Sequence, residues 1–263
     1  ASKRKASVEE LARLFAKGDL IHIDERPTQA LIDKELDKTS FYLYLDKRDS
    51  ELGSEERQNH SLLLSNLNLA HGECFNVAGL LAFAKNPQKY KPLLGVQCCY
   101  FDGLDSSGSE FVDKEDVSGN LEILYKNTMR FIERNLAKKQ ISSEFNNNSK
   151  LEIDPVAIQE SLVNALVHRD LYIQSTIKIF LYNDRLEIIT PGSLANHLSV
   201  EKIKHGTSII RNQTLHQIAQ KILPYSGLGT GIKRILKQEP SVQFENNEEM
   251  DTFTTIFYRS GGK

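Results

Sequence analysis

The sequence predicts an α+β protein, and three stretches in its second half carry that prediction. Residues 155–168 form an apolar run without a helix breaker, which predicts a buried helix. Residues 175–181 and 186–190 are alternating, β-branched runs, which predict an antiparallel hairpin. Residues 227–231 are rich in glycine and open a further helix. Helices and antiparallel strands in one chain are typical of the α+β class.

Composition places the chain among ordinary globular proteins. It has 263 residues, of which 40% are hydrophobic and 26% charged, enough for one large or two small domains with a buried core. The net charge of −2 is spread over mixed signs, and Lys3, Arg4 and Lys5 make a small basic start. We therefore expect this segment alone to bind DNA weakly at most.

The cysteines and the lack of a long apolar run indicate a soluble protein of a reducing compartment. The number of cysteines, 3, is odd, and Cys98 and Cys99 are adjacent in a predicted strand, so their side chains point to opposite faces. No apolar stretch approaches the length needed to cross a membrane, and the start of the chain does not resemble a signal peptide. These features predict a cytoplasmic protein without a membrane partner.

The first half of the chain contains mainly helix signals. Asn86 and Pro87 stop the apolar run that precedes them, and Asp102 and Gly103 close a buried strand. Residues 118–136 have the apolar spacing of an amphipathic helix. The elements predicted in this half are helices over residues 8–16, 29–36, 55–67, 77–85 and 118–136 and a strand over residues 95–101.

The helix predicted over residues 155–168 carries the most specific side chains. Asp154 can cap it, and Pro155 fits its first turn. Glu160, Asn164 and His168 follow one another at four-residue intervals, so they share one stripe of an otherwise apolar helix. A carboxylate and an amide in such a place are paired, solvated in a cleft or bound to a ligand. On the helix alone, a stripe that simply faces water is an equal alternative.

Glu160 and Asn164 stand in the pattern Glu-x-x-x-Asn-Ala, which resembles the asparagine box of the GHKL ATPases. This superfamily, which includes gyrase, MutL and the histidine kinases, has the Bergerat fold, an α/β two-layer sandwich. In it the carboxylate polarises the attacking water, and the amide oxygen binds the Mg²⁺ that bridges the phosphates of ATP. The resemblance implies that Glu160 is a catalytic residue, that Asn164 binds the metal, and that His168 belongs to the same nucleotide site.

The turn after the predicted hairpin matches the first glycine box of this superfamily in part. That box has an Asp, which reads the adenine amino group, followed by glycines. Gly192 fits the glycine of close backbone approach, but Thr190 stands in place of the Asp and Leu194 in place of a later glycine. Because a neutral hydroxyl cannot supply the charge, the resemblance implies reduced selectivity for adenine.

Residues 195–226 then correspond to the lid over the nucleotide, with helices predicted over residues 200–204 and 211–223. Residues 206–212 resemble a Gly-x-Ser-x-x-Arg-Asn segment of related proteins. Arg211 in this segment could contact a phosphate, or it could stand at a helix start and face water, the alternative that we favour.

The glycine-rich stretch resembles the second glycine box. Gly227, Gly229 and Gly231 alternate with Leu228 and Thr230 before a helix. Glycines let the backbone approach a phosphate, and the amides at a helix start bind its charge. A loop with C-cap glycines is the alternative, but it accounts for one glycine rather than three. Strands predicted over residues 242–244 and 252–258 close the chain.

In the order of its motifs, from Glu160 to about Ile235, the chain resembles the RecG-helicase-related C-terminal domain family. Residues 2–10 and 75–88 resemble segments of bacterial proteins in which a Schlafen/AlbA-like DNA-binding domain precedes this domain. The resemblance implies an N-terminal α/β segment over residues 1–108 and a GHKL-like ATP-binding domain over residues 109–263. It also implies DNA as a partner, through a domain upstream.

The implied function is Mg²⁺-dependent ATP binding by the effector module of a DNA-binding transcriptional regulator, with slow hydrolysis left open. Because the sequence has no Gly-x-x-x-x-Gly-Lys-Ser/Thr loop, a helicase motor is not expected. The alternative is a GHKL-derived module that has lost nucleotide and serves homodimerisation or senses another ligand, which Thr190 favours. The implied nucleotide-binding residues are Asn164, His168, Thr190, Gly192, Arg211, Gly227, Gly229, Thr230 and Gly231.

Overall fold

In the computed structural model of the chain, the described residues are 22–48, 59–107, 110–140, 149–195, 198–225 and 227–259. The helix predicted over residues 8–16 and the basic start of the chain lie outside these ranges. So does the first part of the helix predicted over residues 55–67.

The N-terminal part combines short helices with a small antiparallel sheet. Its elements are β1 (Pro27–Leu31), α1 (Ile32–Glu35), α2 (Lys38–Arg48), α3 (His60–Asn66), β2 (Ala70–His71), β3 (Cys74–Asn76) and α4 (Val77–Phe83). The order of the sheet is β1-β3-β2. Asn76 caps α4, because its side-chain oxygen accepts a hydrogen bond of 2.8 Å from the Gly79 amide.

The helix predicted over residues 29–36 is wrong in its first half. Pro27–Leu31 forms a strand that pairs with β3, and the helical turn covers Ile32–Glu35. The Thr28 hydroxyl donates a hydrogen bond of 2.7 Å to the Phe75 carbonyl, 47 residues further along the chain. Pairing with a distant strand therefore decides the conformation here, and the local pattern does not contain that information.

The strands of the second part are β4 (Val96–Phe101), β5 (Phe111–Val117), β6 (Lys138–Gln140), β7 (Ser149–Leu151), β8 (Ile177–Leu181), β9 (Arg185–Pro191), β10 (Gln243–Asn247) and β11 (Thr252–Tyr258). Six of them form the main sheet, in the order β10-β11-β9-β8-β4-β5. Of its neighbouring pairs, β4 and β8 run parallel and the others antiparallel. The predicted hairpin is confirmed as β8 and β9.

Strands from both sides of the predicted domain boundary share this sheet. β4 pairs with β8 from Val96 beside Ile177 to Tyr100 beside Leu181, and its other edge pairs with β5. The boundary predicted between residues 108 and 109 therefore falls in the connection between two paired strands.

Helices cover one face of the main sheet. Burial alternates along β8 and β9, as expected for a sheet with one face on the core. The core between the two layers contains apolar side chains of α5 (Leu121–Asn135) and α6 (Pro155–His168). The predicted start of α6 is confirmed: the Asp154 side chain accepts a hydrogen bond of 2.9 Å from the Val156 amide, and Pro155 occupies the first turn. The α+β class is thus the observed one.

Three further helices follow the hairpin: α7 (Val200–Lys204), α8 (Gln213–Ile222) and α9 (Gly231–Gln238). Carboxylates of the N-terminal segment meet the start of α8. Asp24 accepts a hydrogen bond of 3.1 Å from the Leu215 amide, and Glu25 accepts one of 2.9 Å from the Thr214 hydroxyl. Negative charge is favourable at a helix N-terminus, so these contacts attach the N-terminal segment to α8. Among the described residues, none of the helices is both long enough and apolar enough to cross a bilayer.

Candidate functional site

A cleft lies between α6, the strands β9 and β11, residues 198–211 and the start of α9. Its free space is about 980 Å³, including the solvent at its mouth. Apolar side chains such as Leu198, Ile203 and Phe253 line it together with polar groups, as in ligand-binding clefts. Eight of the residues expected at the site line this cleft: Asn164, His168, Thr190, Gly192, Arg211, Gly227, Gly229 and Gly231.

Glu160, the expected catalytic residue, lies beside the cleft in an ion pair. Its Oε1 is 2.6 Å from Nη2 of Arg234, which lines the cleft from α9. The Glu160 side chain is 8% exposed and that of Arg234 is 38% exposed. Burial raises the pKa of Glu160, and the neighbouring Arg234 guanidinium opposes part of that rise. The sequence reasoning missed Arg234, which no motif indicated.

Asn164, the expected metal ligand, lies where α6 meets the start of α9. The contact is close at Gly231, because a β-carbon there would stand 2.7 Å from Oε2 of Glu160 and 3.4 Å from Nδ2 of Asn164. Thr230 occupies the N-cap position of α9 without a side-chain cap. The carboxylate, the amide and the first turn of a helix are thereby brought together at one end of the cleft.

The glycine-rich stretch has a backbone that favours glycine at two positions. Gly227 and Gly229 have φ values of +67° and +68°, in the left-handed region. A β-carbon at Gly227 would also collide with the side chain of Gln220 on α8. Together with the tight contact at Gly231, this gives each of the three glycines its own structural reason, which a single C-cap does not.

The first glycine box lies at the end of β9. Gly192 has φ +105°, and a β-carbon there would collide with the Arg211 guanidinium and stand 2.6 Å from Cβ of Asp170. Thr190 is buried, and so is Thr255, its diagonal neighbour on the same face of β11. Both threonines line the cleft. Thr255 was not expected from the sequence, because its place beside Thr190 depends on the register of β9 and β11.

Arg211 does not simply face water. It is partly buried, and its Nη2 donates a hydrogen bond of 2.7 Å to the Ser193 carbonyl, while Nη1 is 3.5 Å from the His168 carbonyl. The guanidinium thus joins the turn after β9 to the end of α6. Its Nη1 is also 3.9 Å from Oδ2 of Asp170.

Asn212 has a structural role that the motif did not reveal. Its side chain is fully buried, and Nδ2 donates hydrogen bonds of 2.9 Å to the carbonyls of Val167 and Arg169. These groups lie at the end of α6, where backbone carbonyls lack partners within the helix. The Arg-Asn pair at residues 211 and 212 therefore fixes the end of the helix that carries Glu160 and Asn164.

His168 lies at the same end of α6 in a cluster of rings. Its Nε2 is 3.1 Å from the Tyr225 hydroxyl, and its ring makes an edge contact with that of His216. Burial lowers the pKa of His168, and together with the positive charges that His216 and Arg211 can carry it brings that pKa to about 4. His168 is therefore a neutral imidazole at physiological pH.

The profile of one protein family matches residues 174–257. Its description is "Putative ATP-dependent DNA helicase recG C-terminal", and the family is of the HATPase type. The matched range covers β8 to β11 and the helices between them. Glu160 and Asn164, on α6, precede it.

A crystal structure of the DIP2311 protein from Corynebacterium diphtheriae has a similar fold, with a TM-score of 0.70 at 16% sequence identity. The alignment covers 100% of this chain and 52% of that one, so the chain spans about half the length of that protein. No curated protein sequence matches the chain. The architecture and the family match agree with the expected GHKL-like sandwich. Residues 174–257 of the chain are thus similar to the RecG-related C-terminal domain family, a HATPase family.

Proposed function

We propose that the chain binds ATP with Mg²⁺ in this cleft. The observation that carries the proposal is the meeting of Glu160 and Asn164 with the glycine start of α9 at one end of the cleft. The first-turn amides of α9, which Thr230 does not cap, suit a phosphate, and the Asn164 amide oxygen suits a hard cation such as Mg²⁺. Bound Mg²⁺ would neutralise charge on the phosphates.

The residues of the cleft fit ATP better at its phosphate end than at its base end. Thr190 and Thr255 offer two neutral hydroxyls, which donate or accept hydrogen bonds but carry no charge. The apolar side chains of the cleft suit the faces of an aromatic base. We therefore propose a nucleotide site whose selectivity for the base is weak.

Within this proposal, Glu160 is the general base for any hydrolysis. Its carboxylate is next to Asn164 and beside the cleft, within one helix turn of the proposed metal ligand.

We also propose that the module serves a cytoplasmic DNA-binding transcriptional regulator, with DNA bound by a domain upstream. The resemblance of residues 2–10 and 75–88 to such regulators supports this. The hydrogen bonds of Asp24 and Glu25 to the start of α8 connect the N-terminal segment to a helix next to the cleft. The cysteines at positions 74, 98 and 99 are free, in keeping with a reducing compartment.

A second candidate function is a nucleotide-free module that dimerises or senses another ligand. Two observations favour it: Thr190 lacks the charge of an Asp, and Glu160 is already paired with Arg234. A calorimetric titration with Mg-ATP separates the two candidates, because a nucleotide-free module gives no saturable heat.

Asn164→Ala is expected to weaken Mg²⁺-dependent ATP binding by about tenfold or more, because the metal loses an oxygen ligand. The measurement is calorimetric titration of ATP with Mg²⁺ and with EDTA. Asn183→Ala, at an exposed hairpin turn, is the control and should match the wild type. Equal stabilisation of wild type and Asn164→Ala by Mg-ATP in thermal melts would show that Asn164 has no metal role.

The wild type is expected to distinguish poorly between ATP and GTP, because the Thr190 hydroxyl suits either base. Thr190→Asp should improve the preference for ATP by about 1–3 kcal/mol, since a carboxylate accepts a charge-assisted hydrogen bond from the adenine amino group. Competition binding of the two nucleotides measures the preference, and Thr190→Asn is the uncharged control. A strong preference for ATP in the wild type would mean that another residue reads the base.

A further inference from the structure

Arg234 stands between Glu160 and the cleft. It lines the cleft from α9, and its guanidinium is 2.6 Å from Oε1 of the buried Glu160 carboxylate. A ligand in the cleft therefore meets the guanidinium at this end, and the carboxylate lies behind it.

The second carboxylate oxygen of Glu160, Oε2, is not accessible to water from the cleft either. Oε2 is buried and has no hydrogen-bond partner among the described residues, and it faces Gly231, where a β-carbon would stand 2.7 Å away. With Oε1 paired with Arg234 and Oε2 packed against α9, the pair restricts the access of water in the cleft to the carboxylate until Arg234 moves.

Two other cationic side chains near the cleft, Arg211 and Lys233, make contacts away from Glu160. Arg211 is bound to the Ser193 carbonyl at the far end of α6, and Lys233 is exposed, with its chain against Gly206. Arg234 is thus the cation paired with Glu160, and it lines the end of the cleft where the proposed function places phosphates. A guanidinium pairs with carboxylate and phosphate through the same planar donors, so the two groups compete for it.

We propose that Arg234 is a shared partner: it pairs with Glu160 in the ligand-free chain and with a phosphate of the nucleotide when one is bound. The proposal rests on the proposed ATP site. In the ligand-free chain the pair masks the carboxylate. Transfer of the guanidinium to phosphate releases Oε1, so the base becomes available to water when the substrate is present. The same competition lowers the affinity for nucleotide.

A double-mutant cycle tests this sharing through binding, without the need for turnover. The four proteins are wild type, Glu160→Gln, Arg234→Gln and the double variant, each titrated calorimetrically with ATP with and without Mg²⁺. Because the neutral amide competes weakly for the guanidinium, Glu160→Gln should bind ATP about tenfold more tightly than wild type when Arg234 is present. In the Arg234→Gln background the same change should have no effect.

The controls separate sharing from a general charge effect. Lys237→Gln removes an exposed cation from the last turn of α9, and Glu160→Gln should still tighten binding by about tenfold in that background. Equal tightening in the Arg234→Gln background, or none in either background, would overturn the proposal. Arg234→Lys, which keeps the charge, covers the case in which Arg234→Gln does not fold, and it should retain part of the tightening.

A second ligand keeps this proposal separate from the proposed function. Inorganic triphosphate carries the phosphates without a base and should give the same cycle with weaker absolute binding. If triphosphate shows the coupling and ATP does not bind, the ATP site is wrong and the sharing of Arg234 stands. If ATP binds but the cycle is additive, the ATP site stands and the sharing is wrong. Failure of both ligands to bind any of the variants overturns both.

Discussion

Glu160→Gln is expected to lower ATP turnover by about 10²–10⁴-fold, the usual effect of removing a general base. The carboxamide has nearly the same shape as the carboxylate but cannot take a proton from water. It keeps a carbonyl oxygen that can accept a hydrogen bond from Arg234, so the contact between α6 and α9 remains possible. Nucleotide binding should therefore persist in this variant, and by the sharing of Arg234 it should become tighter.

The loss of turnover is measured as phosphate formation in single-turnover experiments, with the protein in excess over Mg-ATP and at a concentration that saturates binding. Slow product release then does not hide the chemical step. Glu201→Gln, an exposed carboxylate on α7, is the matched control and should turn over like the wild type. Unchanged turnover in Glu160→Gln would show that another group, or none, acts as the base. A wild type that binds ATP but releases no phosphate would limit the module to binding.

The sequence predicted α6 well because its signals are local. Asp154, Pro155 and the apolar period determine where the helix begins and which side chains it buries, and all three are visible in the sequence. The stripe of Glu160, Asn164 and His168 was visible as well. Its environment was not, because it depends on residues far along the chain: Arg234 for Glu160, and Tyr225 for His168.

The strands were predicted unevenly for a similar reason. β8 and β9 alternate apolar and polar residues and are joined by a short turn, so they were recognised. β5 is an edge strand with mostly charged residues after Phe111 and Val112, and it lacks an apolar pattern. Its pairing with β4 explains how strands on both sides of residue 108 come to share one sheet.

In the lid segment, the motif identified the residues but not their contacts. The Arg-Asn pair was recognised as a pattern, but the contacts of Asn212 with the carbonyls of Val167 and Arg169 depend on how α8 packs on α6. Residues that match a motif can therefore stabilise the packing of two helices instead of contacting a ligand. The same holds for Gly192, whose small size is required by the side chains of Arg211 and Asp170.

The stability of the ligand-free chain is expected to fall as the pH is lowered from about 6.5 to about 4, with His168 as a main cause. The pKa of His168 is lowered from 6.5 to about 4 in the folded chain, so the unfolded chain binds more protons between these values. The contribution of His168 is complete above pH 6.5 and is lost as the pH falls towards 4. A shift of this size corresponds to about 3 kcal/mol of unfolding free energy.

The measurement is urea unfolding of wild type and His168→Gln at several pH values, compared as a difference. Wild type and variant are compared because other groups also change stability with pH. Burial raises the pKa values of Asp24 and Glu160, so protonation of these carboxyl groups stabilises the folded chain as the pH falls. His168→Gln should reduce the loss of stability between pH 6.5 and 4, while His205→Gln, at an exposed position, should not. His216, whose pKa burial also lowers, should give a smaller change of the same sign when replaced by Gln. Parallel pH profiles for wild type and His168→Gln would mean that the pKa of His168 is the same in the folded and unfolded chains. His168 would then become protonated in the folded chain near pH 6.5, and its contact with Tyr225 would not depend on a neutral ring.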